Sequence, residues 1–174
     1  AFRALDAAHF VLLPLLALAW LRRGGTGWAE LGFRRPAPAG GGARLLLVTV
    51  VLGIGGWVIF EVLSRYLGAL IAGTPPTFGY VAAIPAVGLQ RLAGVVYFAV
   101  TAGFAEEFVF RSALWHWACL RWPGRPRLAG FLLVSALLFG LIHWENGAHE
   151  VLATGALGVA AGLAYVRLGN LWPL

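Results

Sequence analysis

Glu106 and Glu107, Arg111 four residues on, and His143 are the side chains with the types and spacing to do chemistry. A carboxylate and an imidazole in one restricted aqueous cavity can activate a water or hold a divalent ion. Their setting is otherwise aromatic, aliphatic or glycine, in the stretch AEEFVFR and around it. An ionised side chain at mid-bilayer costs about 2.5–3.5 kcal/mol even on lenient insertion scales, so three together need partners. Glu107 and Arg111 share a helix face and can pair. Glu106 lies about 100° round the helix and lacks a local partner. Its candidate partner is His143. The turn RWPGRPR is centred on Gly124, with Glu106 eighteen residues before it and His143 nineteen after it. In a helical hairpin, residues equidistant from the turn lie at similar depth, so the two groups can converge. The same residues also fit plainer roles. Glu107–Arg111 serves equally as a structural ion pair, and His143 as an interfacial histidine ahead of Trp144 and Glu145.

The elements that must position these groups are long apolar runs. Of the 174 residues, 60% are hydrophobic and 11% charged, against roughly 45–50% and about 25% in soluble proteins. A soluble core of this size cannot hide so much apolar surface, whereas lipid accepts it. The expected class is therefore all-α, a polytopic transmembrane bundle in a single integral membrane domain over 1–174, with about five spans. The runs are Ala8–Leu21, Ala43–Leu63, Arg91–Leu120, Leu128–His143 and Val151–Val166. The last carries Gly155, Gly158 and Gly162, which allow close helix contact. The segment from Leu67 to Leu89 contains GTPPTFGY and Pro85 and reads as a loop or short interfacial helix. GGTGWAELGFRRPAPAGGG reads as a Gly/Pro-rich polar loop.

The net charge is +6, and Arg supplies every Lys/Arg-type cation. The arginines cluster at run ends, which suits membrane anchoring and argues against a nucleic-acid partner. Arg22, Arg23, Arg34, Arg35 and Arg44 mark the first loop, and Arg121, Arg125 and Arg127 the third. By the positive-inside rule both face the cytoplasm. That orientation sits awkwardly with a site serving cytoplasmic tails, because Glu106 would lie roughly 22 Å from the third loop. With one cysteine, Cys119, no internal disulfide can form. The chain has no Met, so it reads as a fragment or a processed product.

Other polar residues carry weaker signals. Glu61 and Arg65 are a second four-residue pair, near the far end of their run and structural in character. His149 and Glu150 read as a solvated loop pair. His9 and His116 have no acidic neighbour in sequence, so packing is the expected role. Trp115, Trp117 and Trp122 resemble an aromatic belt beside the basic turn.

Glu106-Glu107-x-x-x-Arg111 followed by Phe139-x-x-x-His143 resembles the CAAX protease and bacteriocin-processing (Abi) family of intramembrane metalloproteases. GNLWPL at the end is similar to the segment leading into that family's last catalytic helix, and GWAELGFRRP to its amino-terminal region. The resemblance covers a partial catalytic core over 95–174. It implies that Glu106 activates the hydrolytic water, that Arg111 holds a supporting Glu107, and that His143 positions the water or binds metal. Glu106 and His143 would be the ligands of a divalent metal, zinc by family custom. The resemblance further implies a catalytic helix beyond Leu174 carrying a His and an Asn, so this fragment alone would be inactive.

The reaction so implied is peptide-bond hydrolysis in a membrane-associated peptide or protein, of the CAAX-processing kind, with membrane lipids as neighbours and the cell membrane as the location. A non-enzymatic immunity or peptide-binding protein retaining the fold is the alternative. A proton or ion relay through Glu106, Glu107 and His143 is a third, and the inverted repeats that would support it are not evident.

Overall fold

The computed structural model describes residues 8–35, 40–73 and 87–174, and these are helical with no strand among the described residues. A π-helical turn at Ala8–Leu12 runs into α1 (Leu13–Arg23). α2 (Gly41–Ala72) follows the first loop, and α3 (Leu89–Val100) begins the third run. That run continues without a break through two π-helical segments, Thr101–Glu106 and Phe108–Ala113, into α4 (Leu114–Arg121). α5 (Pro126–Leu141) and α6 (Ala148–Leu168) complete the set, joined by a 3₁₀ turn at Trp144–Asn146.

The surface is inverted relative to a water-soluble protein. Leu46, Trp57 and Leu70 on α2 are 65%, 64% and 68% exposed, while Arg111 and Ser135 are fully buried and Glu150 is 2% exposed. Apolar outside and ionic inside is the arrangement that hydrocarbon favours and water penalises. α2 and α6 are long and apolar enough to cross a membrane, and α5 is a shorter apolar helix. At about 1.5 Å per residue, α2 exceeds a hydrocarbon layer of about 30 Å.

Two of the expected element bounds differ. The sequence ends the second run near Leu63, but α2 continues to Ala72, so Glu61 lies well inside it. The Glu61–Arg65 ion pair removes the uncompensated charge that would have ended the span there. Residues 67–72, expected in a loop or interfacial helix, thus belong to α2, while 74–86 lie outside the described residues.

The first loop is more than a polar connection. Leu31 is fully buried, and Thr26 is 4% exposed. The Ser112 hydroxyl donates to the Leu31 carbonyl at 2.9 Å, and Leu171 N–H donates to the Gly32 carbonyl at 2.9 Å. Gly32 has φ +86°, and a Cβ there would lie 3.0 Å from the Tyr165 ring. Only glycine permits both the backbone angle and the approach. The loop is thereby sewn onto the π-helical stretch and the chain's last residues.

α5 and α6 pack most closely. A Cβ on Gly158 would lie 3.2 Å from Ala136 Cα, and one on Gly162 would lie 2.9 Å from Leu132. The expected small-residue contact face is therefore present, with Gly140 on α5 as its closest point: a Cβ there would come 2.5 Å from the Val151 carbonyl oxygen.

Candidate active site

The two π-helical segments flank Glu107, so the whole Glu-Glu-x-x-x-Arg stretch lies on widened helix. A π turn bonds each N–H to a carbonyl five residues back, and such turns recur at functional sites. No residue type in the sequence marks this widening. The pairing expected of Glu107 and Arg111 survives it, with Arg111 Nη2 3.0 Å from Glu107 Oε1.

Arg111 is enclosed on every side. Its guanidinium carbon stands 4.5 Å over the centre of the Phe139 ring, a cation–π contact in a buried site. Its Nη1 donates to Ser135 Oγ at 3.4 Å. Ser135 in turn donates to the Phe110 carbonyl at 2.8 Å. Ser135 and Phe139 lie four apart on α5, and His143 follows at the same interval in the turn just past its end, so this side meets the Glu-Glu-x-x-x-Arg stretch of the neighbouring helix.

Phe139 links the arginine to the histidine, its ring 5.2 Å from that of His143. His143 Nδ1 lies 2.8 Å from the Phe139 carbonyl oxygen. A carbonyl only accepts, so Nδ1 carries a proton and donates, which leaves Nε2 as the ring atom that can accept whenever the imidazole is neutral. The imidazole is thus oriented and still has an atom able to accept from a water.

Glu106 is 8% exposed and within electrostatic reach of Glu107 and Arg111. It has no hydrogen-bond or ion-pair partner among the described residues. Glu107 Oε2 also lacks a hydrogen bond. Glu107 lines a cavity of about 500 Å³ between α2 and α6, whose other walls include Gly53, Trp57, Leu157 and Ala161. The two carboxylates therefore differ. Glu107 is tied to Arg111 through one oxygen, and Glu106 is uncommitted.

The donor set does not make a complete zinc site. A catalytic zinc takes three protein ligands, and no group of three or more His, Cys, Asp or Glu side chains among the described residues could hold a metal. Glu106 and His143 would furnish two.

His149 and Glu150 are not the solvated pair that the sequence suggests. α6 begins at Ala148, before the apolar run does, and its first turn carries Glu150 into the interior. There the Ser64 hydroxyl of α2 donates to Glu150 Oε1, and His149 Nε2 stands 3.9 Å from the same oxygen. The sequence holds no local sign of this contact, since Ser64 and Glu150 are 86 residues apart. His116 takes the packing role expected of it, edge-on to Trp20 with Nε2 3.5 Å from Thr26 Oγ1. Trp122 folds back beneath α5, where a Cβ on Gly130 would come 2.7 Å from its ring.

Residues 88–174, with the glutamates, the arginine and the histidine among them, match the family model described as type II CAAX prenyl endopeptidase Rce1-like. The chain belongs to this family. No curated protein and no solved structure matches it. For an Rce1-like chain the inverted surface has a direct explanation, because the family is embedded in membranes. Family membership also implies a protease, and a CAAX protease would act on a membrane-associated substrate. The Rce1-like match begins at residue 88, in the turn before α3, so it takes in the whole rod that presents Glu106.

Proposed function

We propose that the chain is a multi-pass intramembrane endopeptidase of the CAAX-processing kind, in which Glu106 is the general base. The observation that carries this is the division of labour between adjacent carboxylates. Glu107 is held by Arg111 at 3.0 Å, while Glu106 is buried beside that pair with no hydrogen-bond or ion-pair partner among the described residues. A buried carboxylate left free in an apolar interior is expensive unless something uses it.

In this reading Glu106 takes a proton from a water, whose oxygen attacks the scissile carbonyl. Nearby donors stabilise the oxyanion, and the proton passes to the departing amine as the C–N bond breaks. His143, oriented through Nδ1, accepts from the same water at Nε2. Glu107 and Arg111 set the position of Glu106 and balance its charge. The substrate is a membrane-associated peptide or protein, and the setting is a cell membrane crossed about five times by this stretch. The proposal keeps a further catalytic helix with a His and an Asn. A divalent ion would draw two ligands, Glu106 and His143, from this stretch.

The test is cleavage of a quenched peptide ending in a prenylated CAAX sequence, by the full-length protein in proteoliposomes. Glu106→Ala should abolish cleavage while insertion and melting stay as in the wild type. Unchanged turnover in that variant would leave a peptide-binding or immunity protein as the better reading.

A further inference from the structure

Ser135 is fully buried, outside every motif considered above, and bonded to the catalytic helix at two points. Its hydroxyl donates to the Phe110 carbonyl at 2.8 Å and accepts from Arg111 Nη1 at 3.4 Å. A hydroxyl has one proton and two lone pairs, so both bonds can exist at once. Phe110 belongs to the second π-helical segment. Backbone displaced from regular α-helical bonding is sustained when a neighbouring element satisfies it, and inside a membrane no bulk water is there to do so.

We infer that Ser135 is a positioning residue for hydrolysis, fixing the widened helix and the Arg111 guanidinium so that Glu107 and, beside it, Glu106 stand at working geometry. This rests on the endopeptidase reading. The chain of contacts is continuous: Ser135 holds Arg111, Arg111 holds Glu107, and Glu107 adjoins Glu106. Ser135 also fixes the register of α5 against the catalytic rod. Eight residues on, in the turn just past the end of α5, stands His143, with Phe139 between them packed on both Arg111 and His143. One hydroxyl thus sets the relative placement of the two sides of the site without touching Glu106 or His143.

A supporting residue that places a reacting group typically accounts for about 10–100-fold in activity, and a displacement near 1 Å can cost about 100-fold. Three variants separate placement from folding. Ser135→Ala deletes the hydroxyl, Ser135→Cys keeps nearly the same volume with a poor donor, and Ser135→Thr retains the hydroxyl. All are measured in the full-length protein in proteoliposomes with the prenylated CAAX peptide, with melting temperature recorded alongside. The expected result is a kcat lower by about 10–100-fold for Ala and Cys, an unchanged KM, and recovery of most of kcat in Thr. Wild-type kcat in Cys, or a loss confined to KM, would overturn the inference. So would failure of all three to fold, since Ser135 would then be a folding residue. Glu106→Ala assayed beside them keeps the two claims apart. If it still cleaves, the endopeptidase reading fails, whereas an inactive Glu106→Ala with a fully active Ser135→Cys removes only the role of Ser135.

Discussion

Replacing Arg111 by Met tests whether the ionic interior is as dry as its geometry implies. Arg111 is fully buried, 3.0 Å from Glu107, 3.4 Å from Ser135 Oγ and 4.5 Å above the Phe139 ring. Methionine follows the aliphatic stem of arginine and removes the cation, so little of the loss would come from a cavity. What remains is a Glu107 carboxylate facing an apolar interior with no counter-charge from its own helix. Breaking one partner out of a buried pair costs about 3–5 kcal/mol, because the other charge is left uncompensated. A desolvated cation–π contact is worth about 2 kcal/mol, and the two figures overlap because both report loss of the same guanidinium. An overall loss of about 3–5 kcal/mol is therefore expected. Glu107→Gln in the same chain removes the orphaned charge, and the double variant should recover most of that loss, since a buried pair and an apolar substitute are often nearly equal in stability. Reversible unfolding in mixed detergent micelles, run on the wild type, both single variants and the double, measures the cycle. A loss below about 1 kcal/mol in Arg111→Met would refute the reasoning, because that is the range of pairs open to solvent.

Further expectations concern how the helices are held. Gly140→Ala would set a methyl 2.5 Å from the Val151 carbonyl oxygen; prying α5 from α6 should lower stability by about 1–3 kcal/mol in thermal melts, with Gly53→Ala, which meets nothing within 4 Å, as the silent control. Ser64→Ala removes the hydroxyl that Glu150 accepts from and should destabilise by about 1–3 kcal/mol in the same melts, leaving kcat per folded molecule at the wild-type value.

Much of the site was legible because its groups lie at fixed intervals along single helices. Glu107 and Arg111 are four apart, and their pairing follows from spacing on either an α or a locally widened helix. The glycines at 155, 158 and 162 announce a close contact, and Ala136, Phe139 and Leu132 provide it. Contacts between distant segments were not legible. Glu150 reads as solvated because it precedes the apolar run, yet α6 starts at Ala148 and turns that carboxylate toward Ser64 of α2. Leu31 looks like one apolar residue in a polar loop, but Gly32 lets that loop lie against Tyr165 and bury it. The π-helical widening has no composition of its own. It becomes visible only through the neighbours bonded to it, Ser135 at the Phe110 carbonyl and the Leu31 carbonyl at the Ser112 hydroxyl. α2 exceeded its expected length because Arg65, paired with Glu61, allows the helix to carry charge without ending.

The central claim is that Glu106 and His143 act on one water. Turnover of the prenylated CAAX peptide by full-length Glu106→Gln, His143→Ala and the double variant, reconstituted in proteoliposomes, tests it most directly. Groups sharing a water form one catalytic unit, so either single change should remove turnover by about 100-fold or more, with the double no worse than the more damaged single. Losses that multiply in the double variant, or near-normal turnover in either single, would contradict a shared water.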